Sequence, residues 1–468
     1  MRNWNRRKSM EFDALASEHR LRPTLSWWHL VALGVGAIVG TGIYTLVGIG
    51  ASLAGPAVIL SFAVAGAVCA CAALCYAEVA TMIPASGSAY TYSYAVIGEL
   101  IAWIVGWSLI LEYSLVVSAV AVGWSGYATG FLTSLGIPLP AAISVGPHAG
   151  GVLNVPAVLI VFAVAGLLAL GSKESATVNA ILVVVKIAAL LLFVAVALPH
   201  YDASQFKPFM PYGFAAHPID GVQHGVMAAA AIIFFAFYGF DAISTAAEEA
   251  KNPGRDLPIG IVGSMLICTA LYVGVAAVAV GSMPFTVYAN SPEPLALILR
   301  TLGQSQVAAV IGAAAIIALP TVILAFLFGQ SRIFFVMARD GLLPASLARV
   351  SPRTGTPVRM TMVTALIVSV LAGLVPLDAI AALANAGTLA AFIAVAACML
   401  ILRRREPGRK RIFRTPLAWV VGPVAILGCL YLFWSLPGTT QLFFLIWNVV
   451  GLLIYFWLGR RSTGAAAR

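Results

Sequence analysis

Long apolar runs are the feature that most constrains this chain. They lie near 28–50, 56–82, 98–127, 155–171, 178–199, 222–249, 259–281, 307–334, 360–376, 379–402, 417–436 and 440–459, with short polar turns between them. A helix of about 20 apolar residues crosses the hydrocarbon core of a bilayer. The runs lack the strict alternation of β-barrel strands. They predict an all-α polytopic membrane protein with about twelve transmembrane helices, which we number segments 1 to 12.

The composition supports this class. Of 468 residues, 61% are hydrophobic and 9% are charged, whereas a soluble protein carries about 25% charged residues. The six cysteines all fall in predicted segments, where small apolar packing residues are common. No metal, nucleotide or haem motif is present. We therefore expect no metal site and no cofactor.

The basic residues predict the orientation of the chain. With the N-terminus inside, 24 of the 27 Lys and Arg residues lie in the N-terminal segment, the cytoplasmic loops or the C-terminal tail, as the positive-inside rule expects. Both termini are then cytoplasmic. The predicted parts are a cytoplasmic segment (1–26), a ten-helix transport core (27–402), a basic cytoplasmic loop (403–416), segments 11 and 12 (417–459) and a cytoplasmic tail (460–468). The run "RRREPGRKRIFR" beside a membrane helix indicates an orientation signal or an anionic-lipid contact, not nucleic acid.

Segment 1 contains a glycine-rich stretch, "GVGAIVGTGIY" (34–44), at its centre. Gly36 and Gly40 have the spacing of a helix-packing face. Alternatively, the helix is broken at "GTG" (40–42), and its freed backbone groups bind a ligand. Segment 6 has a glycine at mid-span as well, Gly239. Because inverted-repeat transporters interrupt corresponding helices of their two halves, a repeat of five plus five segments favours a substrate site.

Two broken helices have a specific chemical preference. The N-terminus of a half-helix presents free N–H groups and the positive end of its dipole, which suit a carboxylate. The C-terminal ends present free carbonyls, which suit an ammonium group. An α-amino acid carries both groups about one bond apart. The pattern therefore predicts an amino acid as substrate.

Four ionisable residues stand out inside predicted segments, where charges are costly and often functional: Lys186, Glu112, Asp241 and Glu78. Lys186 is either a proton carrier, because burial disfavours its charged form, or a structural partner of Glu112. Glu112 is either that partner or part of the pocket wall. Asp241 either lines the pathway or caps the half-helix that follows the break in segment 6.

Polar and aromatic residues at the end of segment 2 predict structural roles. Glu78 lies near the cytoplasmic end, where a gate or a loop anchor is expected. Tyr90, Tyr92 and Tyr94 follow in "IPASGSAYTYSY" (83–94) and are most simply interfacial anchors.

Several motifs together resemble a known group. The stretches "GVGAIVGTGIY", "AEVATMIPASGSAYTYSY", "GSKES" and "FYGFDAISTAAEEAKNP" resemble the amino acid–polyamine–organocation (APC) superfamily. "GQSRIFFVMARDGLLP" and "NAGTLAAF" are similar to the bacterial, twelve-helix members of its cationic amino acid transporter family. The resemblance covers about residues 25 to 460. It implies a LeuT-like fold, with a 5+5 inverted repeat, broken helices 1 and 6, and two further helices.

The resemblance also implies site residues. The carboxylate-binding stretch matches Thr41, Gly42 and Ile43, and the amine-binding carbonyls match Ile38, Phe235 and Tyr238. Lys186 matches a lysine that replaces sodium in proton-coupled relatives, and is expected to donate to carbonyls near Gly36 and Ala37. Asp241 and Glu112 match acidic positions near the pocket. Phe326 matches the position that limits room for the substrate side chain.

The leading hypothesis is a proton-coupled symporter that imports L-amino acids with small neutral, alanine-like or cationic side chains. The alternative is an amino acid exchanger or a channel-like facilitator without proton coupling. An intramembrane enzyme is disfavoured, because all six histidines lie near helix ends or in loops. The expected partners are an amino acid, a proton and membrane lipids, without nucleic acid. A monomer in the cell (plasma or inner) membrane is compatible with these features.

Overall fold

The computed structural model describes residues 7–8, 21–134, 136–147, 150–219, 222–289, 291, 293–374, 377–436 and 438–465. The chain is almost entirely helical over these residues. The helices are α1 (Trp27–Ile38), α2 (Thr41–Ala54), α3 (Val58–Met82), α4 (Ser88–Val96), α5 (Glu99–Ser134), α6 (Ala141–Ser144), α7 (Val155–Leu170), α8 (Ser172–Ala197), α9 (Val226–Ile233), α10 (Asp241–Thr245), α11 (Pro253–Ser282), α12 (Phe285–Tyr288), α13 (Pro294–Thr301), α14 (Ser305–Arg339), α15 (Val358–Leu374), α16 (Leu377–Arg405), α17 (Ala418–Trp434) and α18 (Gly438–Ala465).

These helices correspond to the predicted segments. Segment 1 comprises α1 and α2, and segment 6 comprises α9 and α10. Segments 2, 3, 4, 5 and 7 are α3, α5, α7, α8 and α11, and segments 8 to 12 are α14 to α18. Within the described residues, eight helical spans are long and apolar enough to cross a membrane, and four apolar helices are shorter. The protein is therefore a helical, multi-pass membrane protein with about 8–12 spanning helices.

Burial differs between the segments. In the most apolar window of segment 6, 83% of the residues are buried, compared with 33% in segment 5 and 17% in segment 12. The outer helices expose Leu, Ile, Val and Phe side chains, which a bilayer solvates at no cost. Segment 6 therefore lies at the centre of the bundle.

The packing of the helices follows a regular scheme. Segment 3 packs on segments 9 and 10. Segment 8, five positions later, packs in the same way on segments 4 and 5. Segments 2 and 7, 3 and 8, and 4 and 9 pack on each other in pairs. These are the contacts that two related halves of five segments predict.

Two regions differ from the sequence prediction. Residues 222–224, predicted as the start of segment 6, form β2 (Val222–His224), which pairs antiparallel with β1 (His217–Ile219). Gly225 has φ +112°, a conformation that a helix does not accept, so α9 begins only at Val226. The segment 10 helix also continues through Arg405 into the predicted basic loop.

Candidate functional site

Segment 1 is broken at its centre. α1 ends at Ile38, Val39 is extended, and Gly40 has φ −153° and ψ −143° before α2 begins at Thr41. The predicted break is confirmed, one residue earlier than "GTG". The first N–H groups of α2, over residues 41–43, have no acceptor within their own helix. The break thus presents helical N–H groups from one side and carbonyls from the other.

Segment 6 is broken at the predicted position. α9 ends at Ile233 and passes into a 3₁₀ turn over Phe234–Ala236, and α10 begins at Asp241. Between them Gly239 has φ +122°, in a region that side chains rarely adopt. The glycine at mid-span is therefore required by the backbone itself.

The two breaks pack directly against each other. A Cβ added to Gly42 would lie 2.4 Å from the Cβ of Ala236, and one added to Gly239 would lie 2.8 Å from the Cβ of Ala37. The Gly36–Gly40 packing face also exists, because Cβ atoms at these two glycines would meet Asn179 and Val322. The two interpretations of the glycines are compatible, since Gly40 both lies at the break and packs closely against Val322.

A narrow cavity lies between the breaks. Its walls come from segments 1, 3, 6 and 8, and the lining residues are Ala37, Ile38, Gly40, Gly42, Val116, Val120, Phe235, Tyr238, Val322 and Phe326. Five of the predicted site residues are in this set. Ile43 is buried outside it. For Thr41 the structure describes the backbone at the start of α2.

Aromatic rings close one side of the cavity. The Phe326 ring centroid lies 5.0 Å from that of Tyr113 and 6.0 Å from that of Tyr238, in edge-on contacts. The ring of Phe235 lies 5.0 Å from that of Tyr238. The space for a side chain in the cavity is therefore bounded by apolar groups.

Carbonyls near the end of α1 accept hydrogen bonds from three other segments. Lys186 Nζ of segment 5 donates to the carbonyls of Gly36, at 3.0 Å, and Val39. Thr321 of segment 8 donates to the Gly36 carbonyl at 3.2 Å, and Tyr272 of segment 7 donates to a third carbonyl at 2.6 Å, that of Ile38. The free end of the broken helix is thus held by side chains. The expected contact of Lys186 near Gly36 is confirmed, and its second acceptor is Val39 instead of Ala37.

The predicted alternative of a salt bridge between Lys186 and Glu112 is wrong. Lys186 faces segment 1, whereas Glu112 packs against Gly387 of segment 10, where an added Cβ would lie 2.9 Å from the Cβ of Glu112. Glu112 is fully buried, and neither of its carboxyl oxygens has a hydrogen-bond partner among the described residues. The two residues therefore face different neighbours, a difference that the sequence does not encode locally.

Asp241 stabilises the break in segment 6. Its carboxylate accepts a hydrogen bond from the Gly239 N–H, at 3.2 Å, and another from the Tyr113 hydroxyl. Asp241 is fully buried and does not line the cavity. Of its two predicted roles, lining the cavity does not fit this geometry, and capping of α10 stays a prediction because the bonded Gly239 N–H precedes that helix.

Ion pairs close the end of the bundle that carries the chain's N-terminus. Arg332 of segment 8 donates to Glu249 at 2.9 Å, and both side chains are buried. Seven residues further along segment 8, Arg339 forms two hydrogen bonds with Glu248, at 2.7 and 2.9 Å. Such bidentate pairs are directional and strong. They join segment 8 to the end of segment 6.

The predicted role of the tyrosines as interfacial anchors is wrong. Tyr90, Tyr92 and Tyr94 are all buried in α4. Tyr90 donates to Asp340 at 3.0 Å, and Tyr94 donates to Glu99 at 2.8 Å. Because α4 packs on α5 and α16, its aromatic residues are buried between helices.

A residue of the N-terminal segment contacts the same end. Lys8 Nζ donates to Asp340 at 2.6 Å, and its backbone N–H donates to the Tyr94 carbonyl at 3.3 Å. Burial lowers the pKa of the Lys8 amine from its usual value, although the Asp340 carboxylate opposes this effect. Lys8 is thus part of the closure.

Some residues of the site were not identified from the sequence. Thr321 and Tyr272 are ordinary residues in apolar helices, and no local pattern marks their contacts with segment 1. Arg332 and Glu249 carried a usable signal, because charges at the ends of membrane segments are usually paired. The positive-inside count includes Arg332 but does not identify its partner.

Comparisons with known proteins agree with the motifs. The sequence profile of the amino acid permease family matches residues 25–458. The branched-chain amino acid permease BcaP of Bacillus subtilis (strain 168) is 46% identical over 464 residues, which cover 98% of both chains. The methylthioribose transporter of the same organism is 42% identical over 462 residues, also 98% of both chains. The vacuolar cationic amino acid transporter 2 of Arabidopsis thaliana is 40% identical over 413 residues, 87% of this chain and 64% of that protein.

Proposed function

The chain belongs to the amino acid permease family of the APC superfamily, a family of transporters and not of enzymes, and from this premise we propose that it is a proton-coupled importer of neutral, apolar L-amino acids. The observation that carries the proposal is the apolar cavity between two broken helices. A bacterial relative that covers the whole chain supports a location in the cell membrane. The distribution of basic residues supports cytoplasmic termini.

The proposed fold is the LeuT-like 5+5 inverted repeat with two additional helices. Family membership supports it, and so do the paired packing contacts of segments 3, 8 and 10 with their counterparts five positions away. In this arrangement segments 1 and 6 are equivalent, which accounts for a break in each.

The backbone of the breaks would bind the α-groups of the substrate. The carboxylate would accept from the first N–H groups of α2, around Gly42, where the helix dipole is positive. The ammonium would donate to the carbonyls of Ile38, Phe235 and Tyr238. Ile38 already accepts from Tyr272, and a carbonyl oxygen has a second lone pair for the ammonium.

The cavity wall supports a neutral substrate side chain. Val116, Val120, Val322 and Phe326 line it, and no acidic residue is among its described lining residues. A cationic side chain would lose its hydration there without gaining a charged partner, which is costly. Of the small neutral and cationic substrates predicted from the sequence, we therefore favour the neutral ones. The relative named as a branched-chain amino acid permease supports including substrates with branched side chains.

Lys186 would couple transport to protons. Its Nζ atom lies where it stabilises the end of α1 through two carbonyls, and a deprotonated amine has one donor fewer and no charge. Protonation would therefore favour one arrangement of the break. An exchanger without proton coupling remains the alternative.

The test is uptake into proteoliposomes with and without an inward proton gradient. We expect leucine, isoleucine, valine and alanine to accumulate when the outside is acidic, and a sodium gradient alone to have no effect. Accumulation that does not respond to the proton gradient would refute the coupling, and efficient competition by arginine would refute the neutral pocket. Methylthioribose belongs in the competition panel because a relative is named for its transport. Since it lacks both α-groups, strong competition by it would refute the proposed backbone contacts.

A further inference from the structure

Glu78 fixes the basic loop to the transmembrane bundle. Its carboxylate accepts from Arg403 at 2.6 and 2.9 Å, from Arg411 at 3.1 Å and from the Thr415 N–H at 2.7 Å. The predicted role of Glu78 as a loop anchor is confirmed. Two of the basic residues in the loop thereby share one buried carboxylate.

Further cations of the loop are used within the protein. Arg405 donates to the Val96 carbonyl at 2.9 Å, and Arg409 pairs with Glu406 at 2.9 Å. Ile412 packs against Gly254 at the start of α11. These contacts hold the loop in one arrangement against segments 2 and 7.

Three cations remain directed to the surface. Arg404, Lys410 and Arg414 are exposed, and over the described residues none forms an ion pair. The guanidinium of Arg404 lies 5.4 Å from the ring centre of Trp419, which is 53% exposed. Leu417, 78% exposed, precedes it at the start of α17. Arg404 thus adjoins an exposed apolar side chain at the end of a membrane helix, and Arg414 precedes that helix by a few residues.

We propose that Arg404, Lys410 and Arg414 form a binding site for the headgroup of an anionic phospholipid. The lipid phosphate would contact the cations, and its acyl chains would lie along the exposed face that begins with Leu417 and Trp419. Tryptophan is enriched at this depth of a bilayer. Nucleic acid fits less well, because the apolar residues beside the cations continue directly into the membrane.

The expected effect is large enough to measure. Each Lys or Arg near an anionic membrane surface contributes about fivefold in affinity. Replacing the three cations by glutamine in one variant, R404Q/K410Q/R414Q, should therefore weaken binding of phosphatidylglycerol by more than tenfold. The contacts of Glu78 do not involve these three residues, so the loop should keep its fold.

The control removes the same charge elsewhere. Arg349 and Arg353 are exposed in the loop before segment 9, and Arg359 is exposed in the first turn of α15. None of the three lies over an aromatic ring among the described residues. Binding to the wild type, R404Q/K410Q/R414Q and R349Q/R353Q/R359Q is measured in detergent by native mass spectrometry and by the shift in unfolding temperature. The probes are phosphatidylglycerol, phosphatidylcholine and inorganic phosphate.

Selective loss of phosphatidylglycerol binding in R404Q/K410Q/R414Q supports the site. Unchanged binding in that variant overturns the site. An equal loss in the control variant also overturns it, in favour of an effect of general surface charge. A shift of the wild type by inorganic phosphate equal to that by the lipid overturns the lipid in favour of a soluble anion. Equal binding of phosphatidylcholine overturns the requirement for negative charge.

Discussion

Replacement of Lys186 by alanine tests the coupling role most directly. Lys186 Nζ is fully buried and donates to the carbonyls of Gly36 and Val39. A hydrogen bond that involves a charged group contributes about 1.5–3 kcal/mol, so the two together contribute about 3–6 kcal/mol to this arrangement of the break. Losing them would change the relative population of two arrangements by a factor of about 10² to 10⁴.

The assay compares uptake into proteoliposomes with the outside at pH 5.5 to 6 against uptake at equal pH. We expect the wild type to accumulate substrate only with the gradient, and Lys186→Ala to show the same low uptake in both conditions. Binding of substrate to the purified variant, measured as a shift in unfolding temperature, reports whether the site itself persists.

The matched control is Thr321→Val. The single O–H of Thr321 is shared between the same Gly36 carbonyl, at 3.2 Å, and the Ala318 carbonyl, at 2.6 Å, and it carries no charge. Its loss removes about 0.5–1.5 kcal/mol, so uptake should fall by tenfold or less and still depend on the gradient. Gradient-driven accumulation in Lys186→Ala would refute the coupling role. An equal loss of the gradient dependence in Thr321→Val would show that hydrogen bonding to the Gly36 carbonyl, and not the titration of Lys186, determines the dependence on the proton gradient.

Three further predictions concern the breaks, the pocket and the closure. Gly42→Ala places a Cβ 2.4 Å from the segment 6 turn and should abolish uptake and lower the unfolding temperature. The control Gly166→Ala, whose added Cβ has no atom within 4 Å, should be neutral or stabilising. Normal uptake by Gly42→Ala would contradict the close packing. Phe326→Ser should admit bulkier amino acids in competition assays without changing the preference for free α-groups, and an unchanged competition profile would exclude Phe326 from the pocket wall. Glu249→Gln leaves the Arg332 charge buried without its partner, so the unfolding temperature should fall by an amount that corresponds to about 3–5 kcal/mol, and replacing both residues by methionine should restore much of it.

The positions of the helix breaks could be predicted because glycine marks them chemically. Gly239 has a positive φ that other residues rarely adopt, and four glycines between residues 34 and 42 are costly within a membrane helix. A repeat argument then linked the two. Local backbone preference and the corresponding positions of segments 1 and 6 in two sets of five were sufficient for this part of the fold.

The partners of the buried charges could not be predicted in the same way. Whether Lys186 meets Glu112 depends on how each helix is rotated about its axis and on what packs between them. Apolar helices with nearly uniform hydrophobicity carry little signal for that rotation. The same limit applies to the tyrosines of α4, whose amphipathic side chains fit both a membrane interface and a buried polar contact.

The contacts of the N-terminal end of segment 1 constrain how the closure can open. The N–H groups of Thr24 and Leu25 donate to the Glu249 carbonyl at 2.9 and 2.8 Å, and the N–H of Lys251 donates back to the Leu25 carbonyl at 2.8 Å. The start of segment 1 and the end of segment 6 are therefore joined by backbone hydrogen bonds, while Glu249 also binds Arg332 of segment 8 through its side chain. Of these links, the side-chain pair is the one that can separate without unpairing backbone groups. Opening at this end is then expected to separate segment 8 from segments 1 and 6. Segments 1 and 6 should move together, and segment 1 should not swing alone.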